Sequence, residues 1–127
     1  MSNFSKYLRN KMLDSTLRNI PYVSTAVYLA LYTATPTESS AGTELLATGY
    51  TRLPISFGAP VDGIISNNAD VTFPITTVSW GDIKGIGIFN ALTGGDLLYY
   101  GDLTTTRTVT TGTQLIFQTG QLQITLS

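Results

Sequence analysis

A chain of 127 residues that is 43% apolar and only 12% charged can bury one core, and carries too little charge for a disordered tail. It contains no Cys and no His, which excludes disulfides, thiolate and histidine metal sites, cysteine nucleophiles and imidazole general bases. The net charge of −1 offers no basic footprint for nucleic acid, and no run reaches the ~18–20 apolar residues of a membrane span.

The few charges are segregated. Lys6, Arg9, Lys11 and Arg18 against Asp14 alone give residues 1–20 a net charge of +3, which leaves −4 on residues 21–127. Phe4, Leu8, Met12 and Leu17, with Tyr7 and Leu13, recur at helical spacing and predict an amphipathic helix over 3–18. Ser2 or Asn3 can cap its start. Asn19 tolerates the left-handed turn at its end, and Pro21 cannot continue it. The apolar run 23–34 behind this basic opening has the outline of a signal peptide. Its strict alternation through Tyr28 and Tyr32 reads instead as a strand.

From residue 22 the period switches to two. Residues 26–33 alternate with apolar side chains on both faces. Residues 34–49 form the longest irregular stretch, a length that in compact domains usually serves a function. Leu53, Ile55 and Phe57 share a face of the next strand, with Pro54 marking an edge or bulge. Asn67 and Asn68 predict a turn before Val71, Phe73 and Ile75. Gly85 and Gly87 leave one strand face bare, and Trp80 is the first candidate to cover it. Strands follow over 96–103 and 104–111, then at 115–117, then through Leu122, Ile124 and Leu126. About eight short strands and one helix describe an all-β fold, a sandwich or jelly roll of antiparallel sheets. Its organisation is a helical segment over 1–20 and a single β-sandwich domain over 21–127.

Chemistry is sparse. Asp62, Asp70, Asp82, Asp96 and Asp102 are the acid candidates, but each neighbours a turn signal, where Asp serves its own backbone. No phosphate loop, nucleophile elbow or calcium-loop spacing occurs. No catalytic, metal or cofactor site is expected. Tyr28, Tyr32 and one of Tyr99 and Tyr100 offer a possible sugar-stacking face, which keeps a carbohydrate-binding module as the alternative of another class.

Several phrases occur in a telling order. Leu31-Tyr32-Thr33-Ala34-Thr35-Pro36-Thr37 follows the helix, then Thr48-Gly49-Tyr50-Thr51-Arg52, Val71-Thr72-Phe73-Pro74 and Val78-Ser79-Trp80-Gly81. Gly87-Ile88-Phe89-Asn90, Thr93-Gly94-Gly95-Asp96-Leu97-Leu98-Tyr99-Tyr100-Gly101 and Gly120-Gln121-Leu122-Gln123-Ile124-Thr125-Leu126 complete the series. Together they resemble small virion structural proteins of tailed bacteriophages, whose relatives often carry a tail-fibre label. The resemblance implies a multicopy particle component without enzymatic activity, assembled in the host cytoplasm. Size and composition favour a capsid decoration (cement) protein on the outer capsid surface. Its partners would be the major capsid protein and copies of itself, with a trimer favoured. A tail, baseplate or fibre component is the alternative. Nucleic acid and membrane are not expected as partners.

The interface candidates follow from the two most distinctive segments. The helix supplies Phe4, Leu8, Met12 and Leu17; the following strand supplies Tyr28 and Tyr32. The 34–49 loop supplies Glu38, Leu45 and Leu46. Leu8→Asp separates an interface stripe, which would lose docking, from an internal one, which would lose the fold.

Overall fold

Alternation from residue 27 onward builds one large antiparallel sheet, and the computed structural model describes residues 3–125 of the chain. Its strands are β1 (Asn3–Phe4), β2 (Val27–Ala34), β3 (Thr43–Glu44), β4 (Leu53–Ile55), β7 (Gly81–Phe89) and β8 (Leu97–Val109). The sheet order is β1-β8-β7-β2-β3, and β4 also pairs with β2, beside the part that β3 leaves free. Two short ribbons complete the fold. One joins β5 (Ile64–Ser66) to β10 (Gln123–Thr125), the other β6 (Val71–Thr72) to β9 (Ile116–Phe117). The architecture is all-β with a single N-terminal helix among the described residues.

The core lies between the large sheet and the ribbons. Leu29, Leu31, Ile83 and Ile88 of the sheet meet Phe73, Phe117, Leu122 and Ile124. Phe73 and Trp80 sit edge to face with 6.1 Å between ring centres, and Tyr50 joins them at 5.8 Å from Trp80. The Trp80 indole N–H donates to the Thr48 carbonyl at 3.1 Å, so this ring is buried with its polar edge satisfied. The opposite sheet face carries Ala30, Tyr32 and Phe89 with Leu97. Both faces of β2 are therefore covered, as its uninterrupted apolar run predicts.

That second face corrects the expectation for Trp80. A Cβ on Gly87 would meet the Tyr32 ring at 2.8 Å and the Leu97 side chain at 2.9 Å, and one on Gly85 would strike Thr35 and the Gly101 carbonyl. The bare strip is filled by Tyr32, Leu97 and Thr35, while Trp80 belongs to the other side. Tyr32 stacks on Phe89 with centres 6.5 Å apart.

The helix α1 (Lys6–Leu17) begins later than its apolar spacing suggests. Phe4 is drawn into β1, where it pairs with Tyr99. Ser5 provides the cap: its hydroxyl accepts from the Leu8 N–H at 3.1 Å, and its own N–H donates to the Leu98 carbonyl at 2.8 Å. Asn3 is thus a strand residue, and Ser2 lies outside the described residues, as does Leu126. At the far end Asn19 takes the left-handed conformation, φ 57°, as expected.

The separate strands expected over 96–103 and 104–111 are one, β8. Ile83 opposes Arg107 while Gly85 opposes Asp102, so residues 103–106 bulge out against Lys84 alone. A bulge bends a strand without ending it, which is why no turn residue marks the spot. Asp82 and Asp102 accordingly sit in strands β7 and β8 rather than in turns. Asp62 does turn the chain: it and Gly63 take φ of 52° and 77° between Val61 and Ile64, which exchange both backbone hydrogen bonds.

Candidate interaction surface

The nine interface candidates divide by burial. Leu8 packs into the chain's own fold, as do Tyr32 and Leu45. Phe4, Met12, Tyr28 and Glu44, the last a neighbour of the candidate loop residues, are half-buried. Leu17, Glu38 and Leu46 are exposed, Leu17 by 78% and Leu46 by 93%. The helix stripe is therefore two surfaces. Leu8 and Met12 lie on the face that the fold covers, and Phe4 is off the helix, its ring edge-on to Tyr99 at 5.5 Å. Leu13 and Leu17 share the outward face with Lys6, and Ile20 and Val23 extend this exposed apolar ridge past the helix end.

The 34–49 loop is held at both ends. Arg9 on α1 forms an ion pair with Glu38, whose carboxyl is held below its ordinary value by the hydrogen bond from that guanidinium. Both groups are well exposed, so the pair contributes little to stability. The other end is anchored by a residue that hydropathy alone does not flag. Arg52 is 9% exposed, and its guanidinium grips both Glu44 oxygens, Nε to Oε2 at 3.0 Å and Nη2 to Oε1 at 2.9 Å. Its Nη1 donates to the carbonyls of Ala91 and Gly94 at 3.0 and 2.7 Å.

Tyr50 completes the network. Its hydroxyl donates to Glu44 Oε2 at 2.7 Å and accepts from the Leu31 N–H at 3.0 Å. Burial pushes the Glu44 carboxyl up, but the hydrogen bonds from Arg52 and Tyr50 outweigh it and hold the group below its ordinary value. The Arg52 guanidinium is raised by its hydrogen bonds to Glu44. Burial, reinforced by Glu44, pushes the Tyr50 phenol up, and burial first of all drives that of Tyr32 to about 12. Every group is paired in its charged or neutral form. The cluster is a brace joining β3, the segment after it and the 90–95 loop, with no free acid or base for chemistry.

Asn67 is the second anchor that the sequence hides behind its turn-like Asn-Asn pair. It is 1% exposed. Its amide donates to the carbonyls of Ala69 and Gln118 at 2.9 and 3.1 Å, and accepts from the N–H groups of Gly120 and Leu122, both at 3.0 Å. The acid candidates are likewise structural: Asp70 accepts from the Thr119 N–H and hydroxyl, Asp82 from the Thr108 hydroxyl. The rings that a sugar platform needs are mostly covered, since Tyr32, Tyr100 and Trp80 are all buried.

A concave apolar surface lies between the large sheet and the β5–β10 ribbon, where Val27, Phe57, Pro60, Ile65, Leu98 and Tyr99 line a cavity of about 280 Å³. Val61 and Ile64 stand exposed on the turn beside it. The geometry is that of a braced scaffold with one convex and one concave apolar patch.

A family model described as podophage GP4 fiber I protein gp80 matches residues 3–125. The chain belongs to that family, which makes it a tailed-phage virion structural protein of the fibre-like kind. No curated protein matches the chain.

Proposed function

We propose that the chain is a non-catalytic structural subunit of the phage's fibre or tail apparatus, attached to its neighbours through the surfaces described above. The single observation that carries this reading is the match to a fibre-protein family across residues 3–125. The side-chain chemistry agrees with it: the buried charged group Arg52 and its partner Glu44 are saturated by structural hydrogen bonds. The exposed apolar ridge suits attachment.

The test is quantitative mass spectrometry of purified particles, with gold-labelled antibody located by electron microscopy. A few to a few dozen copies per particle, with label at the tail, is the expected result. Copies in simple ratio to the major capsid protein, with label over the capsid, would overturn it in favour of a cement protein bound to that lattice.

A further inference from the structure

Two apolar surfaces of this chain have no partner within it, and they match. The convex one is the ridge of Leu13, Leu17, Ile20 and Val23, exposed by 55, 78, 42 and 80%. The concave one is the cavity of Val27, Phe57, Pro60, Ile65, Leu98 and Tyr99. They cannot meet within one copy. The start of α1 lies beside Leu97 and Tyr100, whereas Ile88 and Tyr99, which line the cavity, belong to the core face of the sheet.

We propose that the ridge of one copy docks into the cavity of the next, head to tail, to build a homo-oligomer. Charge selects this arrangement over a twofold ridge-to-ridge contact. Arg9 and Arg18 are already paired with Glu38 and Asp14, so Lys6 and Lys11 are the uncompensated cations of the helix. A ridge-to-ridge dimer brings the Lys6 and Lys11 pairs of two copies together. Head-to-tail docking instead sets them against a body of net charge −4, with Asp62 exposed on the turn beside the cavity.

Surface area points the same way. The chain exposes 7431 Å², whereas a folded monomer of this mass exposes roughly 6,600 Å². The excess is close to the ~800 Å² that each partner contributes to a standard interface. A head-to-tail contact closes into a ring when its rotation permits and otherwise propagates.

The chain has no Cys, so an introduced thiol is the sole one and cross-linking is unambiguous. Leu17→Cys and Pro60→Cys variants are made separately, mixed and oxidised. The expected product is a disulfide-linked pair containing one of each, with neither variant linking to itself. Sedimentation of the wild-type chain shows an oligomer, and Leu17→Asp sediments as a monomer with an unchanged circular dichroism spectrum. Self-linking of Leu17→Cys, absence of a mixed link, or a monomeric wild type at the highest soluble concentration would each overturn the proposal.

Discussion

The Arg52 guanidinium lies 3.6 Å from the centre of the Phe89 ring while its edge holds both oxygens of Glu44. One side chain thus joins the back face of the sheet, strand β3 and the 90–95 loop. Lysine reproduces neither the fork nor the stacking. Arg52→Lys is therefore expected to cost about 2 kcal/mol, and Arg52→Ala, which strands the Glu44 carboxylate, about 3–4 kcal/mol. Urea denaturation monitored by Trp80 fluorescence measures both.

Glu44 also gives stability an acid dependence. Its folded carboxyl releases its proton more readily than the unfolded one, whose ordinary value is 4.5. The contribution is fully present above that value and is lost as pH falls through the lower folded one. Between pH 7 and pH 3 the wild type should lose more stability than Glu44→Gln does. Equal slopes for the two chains would remove Glu44 from the brace.

Gly85 and Gly87 should respond unequally to alanine. At Gly87 a methyl meets the Tyr32 ring and the movable end of Leu97 at 2.8 and 2.9 Å. At Gly85 it meets the Gly101 backbone carbonyl at 2.9 Å as well as Thr35, and a backbone cannot give way cheaply. Overpacking costs typically about 1–3 kcal/mol, so Gly85→Ala is expected at the top of that range and Gly87→Ala near its bottom. The reverse order in thermal melts would contradict the packing described.

Asn67→Ala removes one acceptor and one donor that serve four backbone groups. Leaving such groups unsatisfied costs about 1–3 kcal/mol each when they stay buried. The β5–β10 ribbon should loosen first, visible as faster amide exchange at Leu122 than at Leu29.

Leu8 and Leu17 lie on one predicted stripe but should behave oppositely. Leu8→Ala is expected to lose about 2–4 kcal/mol of fold stability. Leu17→Ala, at an exposed position, should stay within about 0.5 kcal/mol. Matching losses at the two sites would mean that the whole stripe is internal.

How much of this could be read in the residues depends on whether the signal was local. The helix, its Asn19 terminus and the double-sided burial of β2 follow from periodicity that the structure keeps. β1, β3 and β5 are two or three residues long, too short for any alternation to register. Their existence depends on partners far along the chain. The same holds for the brace. Glu44, Tyr50 and Arg52 are close in sequence, yet what makes Arg52 an anchor is the pair of carbonyls at Ala91 and Gly94. Tyr32 and Leu45 look like interface residues because aromatic and leucine side chains serve surfaces and cores alike; burial separates the two uses.

The strand pairing sets the order in which the molecule can form. β2 finds its central partner only at β7, with Leu29 opposite Ile88, and Phe4 finds its partner only at Tyr99. Such distant pairings are slow because the intervening chain must first close on itself. During synthesis the helix segment emerges early, but the strand that seats it is made late. The N-terminal segment therefore waits uncovered until β8 has left the ribosome, and folding follows translation rather than accompanying it.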